Sequence, residues 1–163
     1  MGMSAGFAAR GVLLQALVRF VDSAKSVRGV TRIAVIGSLI TSKPDPKDAD
    51  VLVTVEGDAD LAKLAALGRR LKGEAQCHNL GADIFLASAQ GLYIGRTCSY
   101  RECRPRLACR GTQCRPGNWI CNDFHEVRLA KQLVAEPPLE LWPRVAIRAA
   151  LPKDILRVLL ERT

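Results

Sequence analysis

Residues 37–53 read GSLITSKPDPKDADVLV. The stretch opens on Gly37-Ser38, passes two prolines, and reaches Asp48 and Asp50 at the entrance of an apolar run. The preceding VTRIAVI, residues 30–36, has the length and β-branched content of a buried strand. The prolines of SKPDPK forbid a regular ladder, so a loop follows it. Residues 49–55, ADVLVTV, are expected as a second strand. Residues i and i+2 of a strand share a face, so Asp48 and Asp50 project together. Burying charge is costly unless it is paired or holds a metal. Two adjacent carboxylates also repel unless a cation lies between them.

Outward from this stretch, residues 5–27 are expected as an amphipathic helix, with Phe7, Leu14, Leu17, Val18 and Val21 at helical spacing. Arg10, Gln15 and Arg19 interrupt its apolar run, and a transit peptide is the weaker alternative. Gly57 ends the second strand. Asp58 is expected to cap a helix over 59–72 with Leu61, Leu64, Leu67 and Leu71 on one face. Asp58-Ala59-Asp60 repeats the Asp-x-Asp spacing but reads as capping and surface charge. Residues 82–87, ADIFLA, are a third strand preceded by Gly81, with Asp83 near its start. After a Pro-Pro break at 137–138, a short helix over 152–161 starts near Pro152. These elements make an α+β chain, a short mixed sheet backed by helices. A core over residues 1–90 carries a Cys/Arg-rich segment and terminal helix, 91–163, expected to pack on it.

The 163 residues are 48% hydrophobic, enough for a sizeable core, but only 5% aromatic, so aliphatic side chains and alanine fill it. The net charge of +8 favours polyanionic partners. No apolar run approaches the roughly 20 residues of a membrane span. Without a credible secretion signal, a cytoplasmic, reducing location is expected, where cysteines are free or metal-bound rather than disulfide-bonded.

Carboxylate pairs suit Mg²⁺, which takes one or two carboxylates, waters and substrate phosphates. Asp83 is either a third ligand or a strand-edge aspartate bonded to loop amides. Gly37 permits close backbone approach, and exposed N–H groups beside the Ser38 hydroxyl can hold an anion. Together Gly37, Ser38, Asp48, Asp50 and Asp83 resemble the motif of the nucleotidyltransferase (polymerase-beta-like) superfamily: Gly-Ser, a spacer, Asp-x-Asp, then a carboxylate on a later strand. The resemblance covers roughly residues 5–90. It implies transfer of a nucleoside monophosphate from an NTP to an acceptor by two-metal catalysis; with the basic segment, RNA or a protein partner is the expected acceptor. Asp48 and Asp50 would bind both Mg²⁺ ions. Asp83 would help bind one and activate the acceptor hydroxyl. Gly37 and Ser38 would hold the triphosphate, and Lys43 and Lys47 could supply positive charge. Many small members carry an arginine and a further glycine where this chain has Leu39-Ile40-Thr41-Ser42, and the spacer here is nine residues. The superfamily also includes inactive members. The alternatives on the same fold are a non-catalytic nucleic-acid-binding module and an antitoxin-like regulatory protein.

Residues 98–121 hold five of the six cysteines, and Arg96, Arg101, Arg104, Arg106, Arg110 and Arg115 face one acid, Glu102. Cys98, Cys103, Cys109 and Cys114 form two short-spaced pairs that can supply four thiolates to a structural Zn²⁺, with Cys121 and His125 in reserve. Free thiols and disulfides are the other readings. The arginines would make a polyanion-binding surface. Tyr100 and Trp119 are either base-stacking platforms or, for Trp119, core.

Overall fold

The computed structural model describes residues 5–98, 129, 131–134 and 136–161. Helix α1, Ala5–Ala24, is followed by strand β1, Val30–Ile36, and a single 3-10 turn, Ser38–Ile40. Strand β2, Asp48–Val55, helix α2, Leu61–Gln76, and strand β3, Gly81–Ser88, form a crossover unit. Strand β4, Tyr93–Arg96, then a 3-10 turn, Lys131–Val134, and strand β5, Leu139–Trp142, come next. Helix α3, Lys153–Ile155, continues into a π-wound turn, Leu156–Leu160.

The five strands form one mixed sheet in the order β4-β3-β2-β1-β5. β2 and β3 run parallel, as the α2 crossover requires, and the other neighbours are antiparallel. Alternation along the strands sorts the two faces. Ile33, Val35, Ala49, Val51, Val53, Ile84 and Leu86 turn to one face. There they meet Leu13, Leu14, Leu17 and Phe20 of α1, Leu64 and Leu71 of α2, and Ile155 and Leu159 of the C-terminal helix in one core. The other face carries Ala34, Ile36, Asp48, Asp50, Leu52, Asp83, Phe85 and Arg96, by the register of the ladders. The expected α+β class with a mixed sheet and helices therefore stands.

Several boundaries move. α1 ends at Ala24 rather than residue 27. α2 begins two residues later than expected, and its cap is Asp60, whose Oδ1 accepts the Lys63 N–H at 3.0 Å; Asp58 lies exposed outside the helix. An Asp two residues nearer the first leucine puts its carboxylate over the orphan N–H groups of the first turn. Asp60→Ala should cost about 1 kcal/mol in urea unfolding, whereas Asp58→Ala should stay within about 0.5 kcal/mol of the parent. β4 and β5 are additional. Each spans four residues, too few for a period to register in the sequence.

Candidate functional site

Pairing places Ile36, Asp50 and Asp83 in one row across three strands, on the face away from the helices. Asp48 stands one step toward the entrance of β2, opposite Gly81. Two glycines make room for these carboxylates. Gly37 has φ +80°, and a Cβ there would fall 2.8 Å from Asp50 Oδ2. A Cβ on Gly81 would collide with the Asp48 carboxylate. The Gly-Ser pair and the Asp-x-Asp pair, ten residues apart in sequence, thus close on one another.

Asp50 is only 7% exposed. Burial pushes its carboxyl up to about 7, and the charges of Asp48 and Asp83 add to the rise. Asp48 is exposed. Asp83 is held from the other side: its Oδ1 lies 3.4 Å from Arg96 Nη1 and 3.7 Å from Lys72 Nζ. Tyr93, tilted against Phe85 on the same face, has its phenol pushed up to about 12, chiefly by burial, with Arg96 acting against the rise and Asp83 with it. Among the described residues, Tyr93 Oη and Arg96 Nε are the buried side-chain polar atoms with no hydrogen-bond partner.

Of the residues expected to grip phosphate, Gly37 and Lys47 use their N–H and ammonium within the chain, and Ser38 uses its carbonyl. The Gly37 N–H donates to the Leu133 carbonyl at 3.2 Å, and the Leu133 side chain packs over the same α-carbon. The Ser38 carbonyl accepts from the Thr41 N–H at 3.1 Å and from its hydroxyl at 2.7 Å. Lys47 Nζ pairs with Asp45 at 2.9 Å, while its carbonyl accepts the Gly81 N–H at 2.8 Å.

The donor chemistry fits a hard divalent cation. Asp48 and Asp50 offer only oxygens, and a cation between them would cancel the repulsion from Asp48 that adds to the rise burial causes in the Asp50 carboxyl. Among the described residues no three His, Cys, Asp or Glu side chains converge on one point. Two carboxylates such as Asp48 and Asp50 are a number that suits Mg²⁺ with its waters and substrate oxygens.

Residues 2–102 match the sequence pattern of a family of unknown function, DUF6932. The chain belongs to DUF6932. The matched span contains Gly37, Asp48, Asp50, Gly81 and Asp83, together with strands β1 to β4. β5 and the C-terminal helix follow it. No curated protein and no solved structure matches this DUF6932 chain.

Elsewhere in the DUF6932 protein, Cys98 is buried and Cys77 exposed. Cys103, Cys109, Cys114, Cys121 and His125 lie outside the described residues, as do Tyr100, Trp119 and the arginines from Arg101 to Arg115. Among the described residues no helix is long and apolar enough to cross a membrane. Sequence reasoning missed Lys72 and Tyr93 at the site. It also passed over Arg10, a lone charge on an apolar helix face, and that was the available signal for it: a buried arginine needs long-range partners.

Proposed function

We propose that this protein is a Mg²⁺-dependent nucleotidyltransferase of the polymerase-beta-like kind, passing a nucleoside monophosphate from an NTP to a polyanionic or protein acceptor. The observation that carries the reading is Asp50. A carboxylate buried beside two others and beside a positive-φ glycine is retained at a real cost, and cation and phosphate chemistry gives that cost a purpose. In this reading the acceptor oxygen bonds to the α-phosphorus. The bond from that phosphorus to the bridging oxygen breaks, and pyrophosphate leaves with the electron pair. The acceptor proton passes to a carboxylate, for which Asp83 is the candidate. Asp48 and Asp50 would hold the cations, whose contribution is to neutralise charge on the phosphates. Incubation with labelled NTPs, Mg²⁺ and RNA or protein acceptors should give transfer that Asp48→Asn reduces by about 100-fold or more. Equal transfer by the two proteins, or none by either, sinks the reading.

A second reading, a non-catalytic nucleic-acid-binding module, draws on a different observation. The Gly37 N–H, the Lys47 ammonium and the Asp83 carboxylate all have partners within the chain. It expects salt-sensitive RNA or DNA binding that Asp50→Asn leaves intact. Filter binding across a salt series separates the two, since a catalytic site loses ligand with that substitution.

A further inference from the structure

The loop from Ser38 to Lys43 leads away from the Gly-Ser pair and is the part of this chain that departs from the commoner superfamily pattern. Its shape is set from a distance, by Arg10 in the second turn of α1. Arg10 is 6% exposed, and each of its five N–H donors meets an acceptor. Nη2 donates to the Leu39 carbonyl at 3.0 Å and to Asp154 Oδ1 at 3.0 Å. Nη1 donates to the Thr41 and Lys43 carbonyls at 3.2 and 3.1 Å. Nε donates to Asp154 Oδ2 at 2.7 Å.

The consequence lies in the peptide planes. Three alternate carbonyls of the loop turn toward one guanidinium. In a trans peptide the N–H points opposite to its carbonyl, so the N–H groups of Ile40 and Ser42 face away from Arg10. Asp154 completes the arrangement by fixing the guanidinium itself in a two-point fork, with its own carboxyl held below the ordinary value chiefly by the Arg10 hydrogen bond. The carboxylates on β2 take no part: none of the Arg10 contacts reaches Asp48 or Asp50.

We propose that Arg10, clamped by Asp154, is the positioning residue of the phosphate-gripping loop: by collecting the Leu39, Thr41 and Lys43 carbonyls it fixes Ser38–Lys43 in the shape that receives the phosphate chain of a nucleoside triphosphate. The inference rests on the nucleotidyltransferase reading and extends it to a residue and an element that the motif does not contain. A lysine cannot substitute, because three donors on a flexible stem cannot reproduce a planar five-donor fork.

The test separates loop from carboxylates. Full-length wild type, Arg10→Lys and Asp154→Asn are titrated at low temperature, first with Mn²⁺ alone and then with a non-hydrolysable NTP at saturating Mn²⁺. Circular dichroism confirms that each variant is folded under those conditions. Asp154→Asn keeps Arg10 and supplies the answer should Arg10→Lys fail to fold. Nucleotide affinity should fall about 10- to 100-fold in the variants, the usual effect of a misplaced binding group, while Mn²⁺ affinity stays within about twofold. Unchanged nucleotide affinity overturns the proposal and leaves the nucleotidyltransferase reading standing. A parallel loss of both affinities also overturns it, because that marks general loosening. Absence of nucleotide binding by the wild type overturns both.

Discussion

Asp50→Asn should make this protein more stable at pH 8 while removing the proposed divalent-cation site. In the folded chain the Asp50 carboxyl sits at about 7 against an ordinary 3.8. Between those values the unfolded chain has released a proton that the folded chain keeps, so stability falls as pH rises. The group's contribution is full below pH 3.8, declines through the window from 3.8 to about 7, and is gone above it. A shift of about three units corresponds to a ceiling of about 4 kcal/mol. With partial solvent screening, a gain of about 2–4 kcal/mol is expected for the asparagine variant at pH 8 without divalent cation. Urea unfolding at pH 5 should show less than half that gap. Adding Mg²⁺ at pH 8 should restore stability to the wild type and leave the variant unmoved, by mass action on the folded state. A variant that is less stable than wild type at pH 8 would mean that Asp50 is a structural hydrogen-bonding group.

The opposite sign is expected at Arg10. Arg10→Met removes one partner of a largely buried pair, takes the guanidinium donors from the Leu39, Thr41 and Lys43 carbonyls, and leaves the Asp154 carboxylate with the Ile155 N–H but without its charged partner. Breaking such a pair from one side costs about 3–5 kcal/mol. The damage should be spatially defined, since Arg10 joins α1, the loop after β1 and the C-terminal helix. Hydrogen exchange should therefore rise first at residues 39–43 and 153–160, before the β2–β3 ladder. In the wild type the Asp154 contribution is present above its ordinary 3.8 and is lost as pH falls through the lowered folded value. The wild type should thus lose part of its advantage over Arg10→Met in acid.

The central strands were legible because their apolar runs are long and bounded by glycines and prolines. Asp48 and Asp50 were legible as a pair because residues i and i+2 of a strand share a face and a buried-strand aspartate needs company; the approach of Gly37 to Asp50 was not. That Asp50 and Asp83 would share a row followed once β2 and β3 were parallel and in register, which periodicity alone does not dictate. Asp60 displaced Asp58 as the cap because a two-residue shift in helix start is invisible to propensity. The engagements of Gly37 with Leu133 and of Asp83 with Lys72 and Arg96 were not legible. The Leu133 contact joins residues nearly a hundred positions apart, and neither residue type announces its partner. Arg10 sits in between: its charge on an apolar face was visible, its acceptors were not.

The most direct measurement is an electron paramagnetic resonance titration of Mn²⁺, with a non-hydrolysable NTP, into the wild type and Asp50→Asn at pH 8. Saturable binding by the wild type that weakens by at least about tenfold in the variant, while the variant stays folded and gains stability, is the predicted result. Equal Mn²⁺ binding by the two proteins, or none by the wild type, would contradict the account.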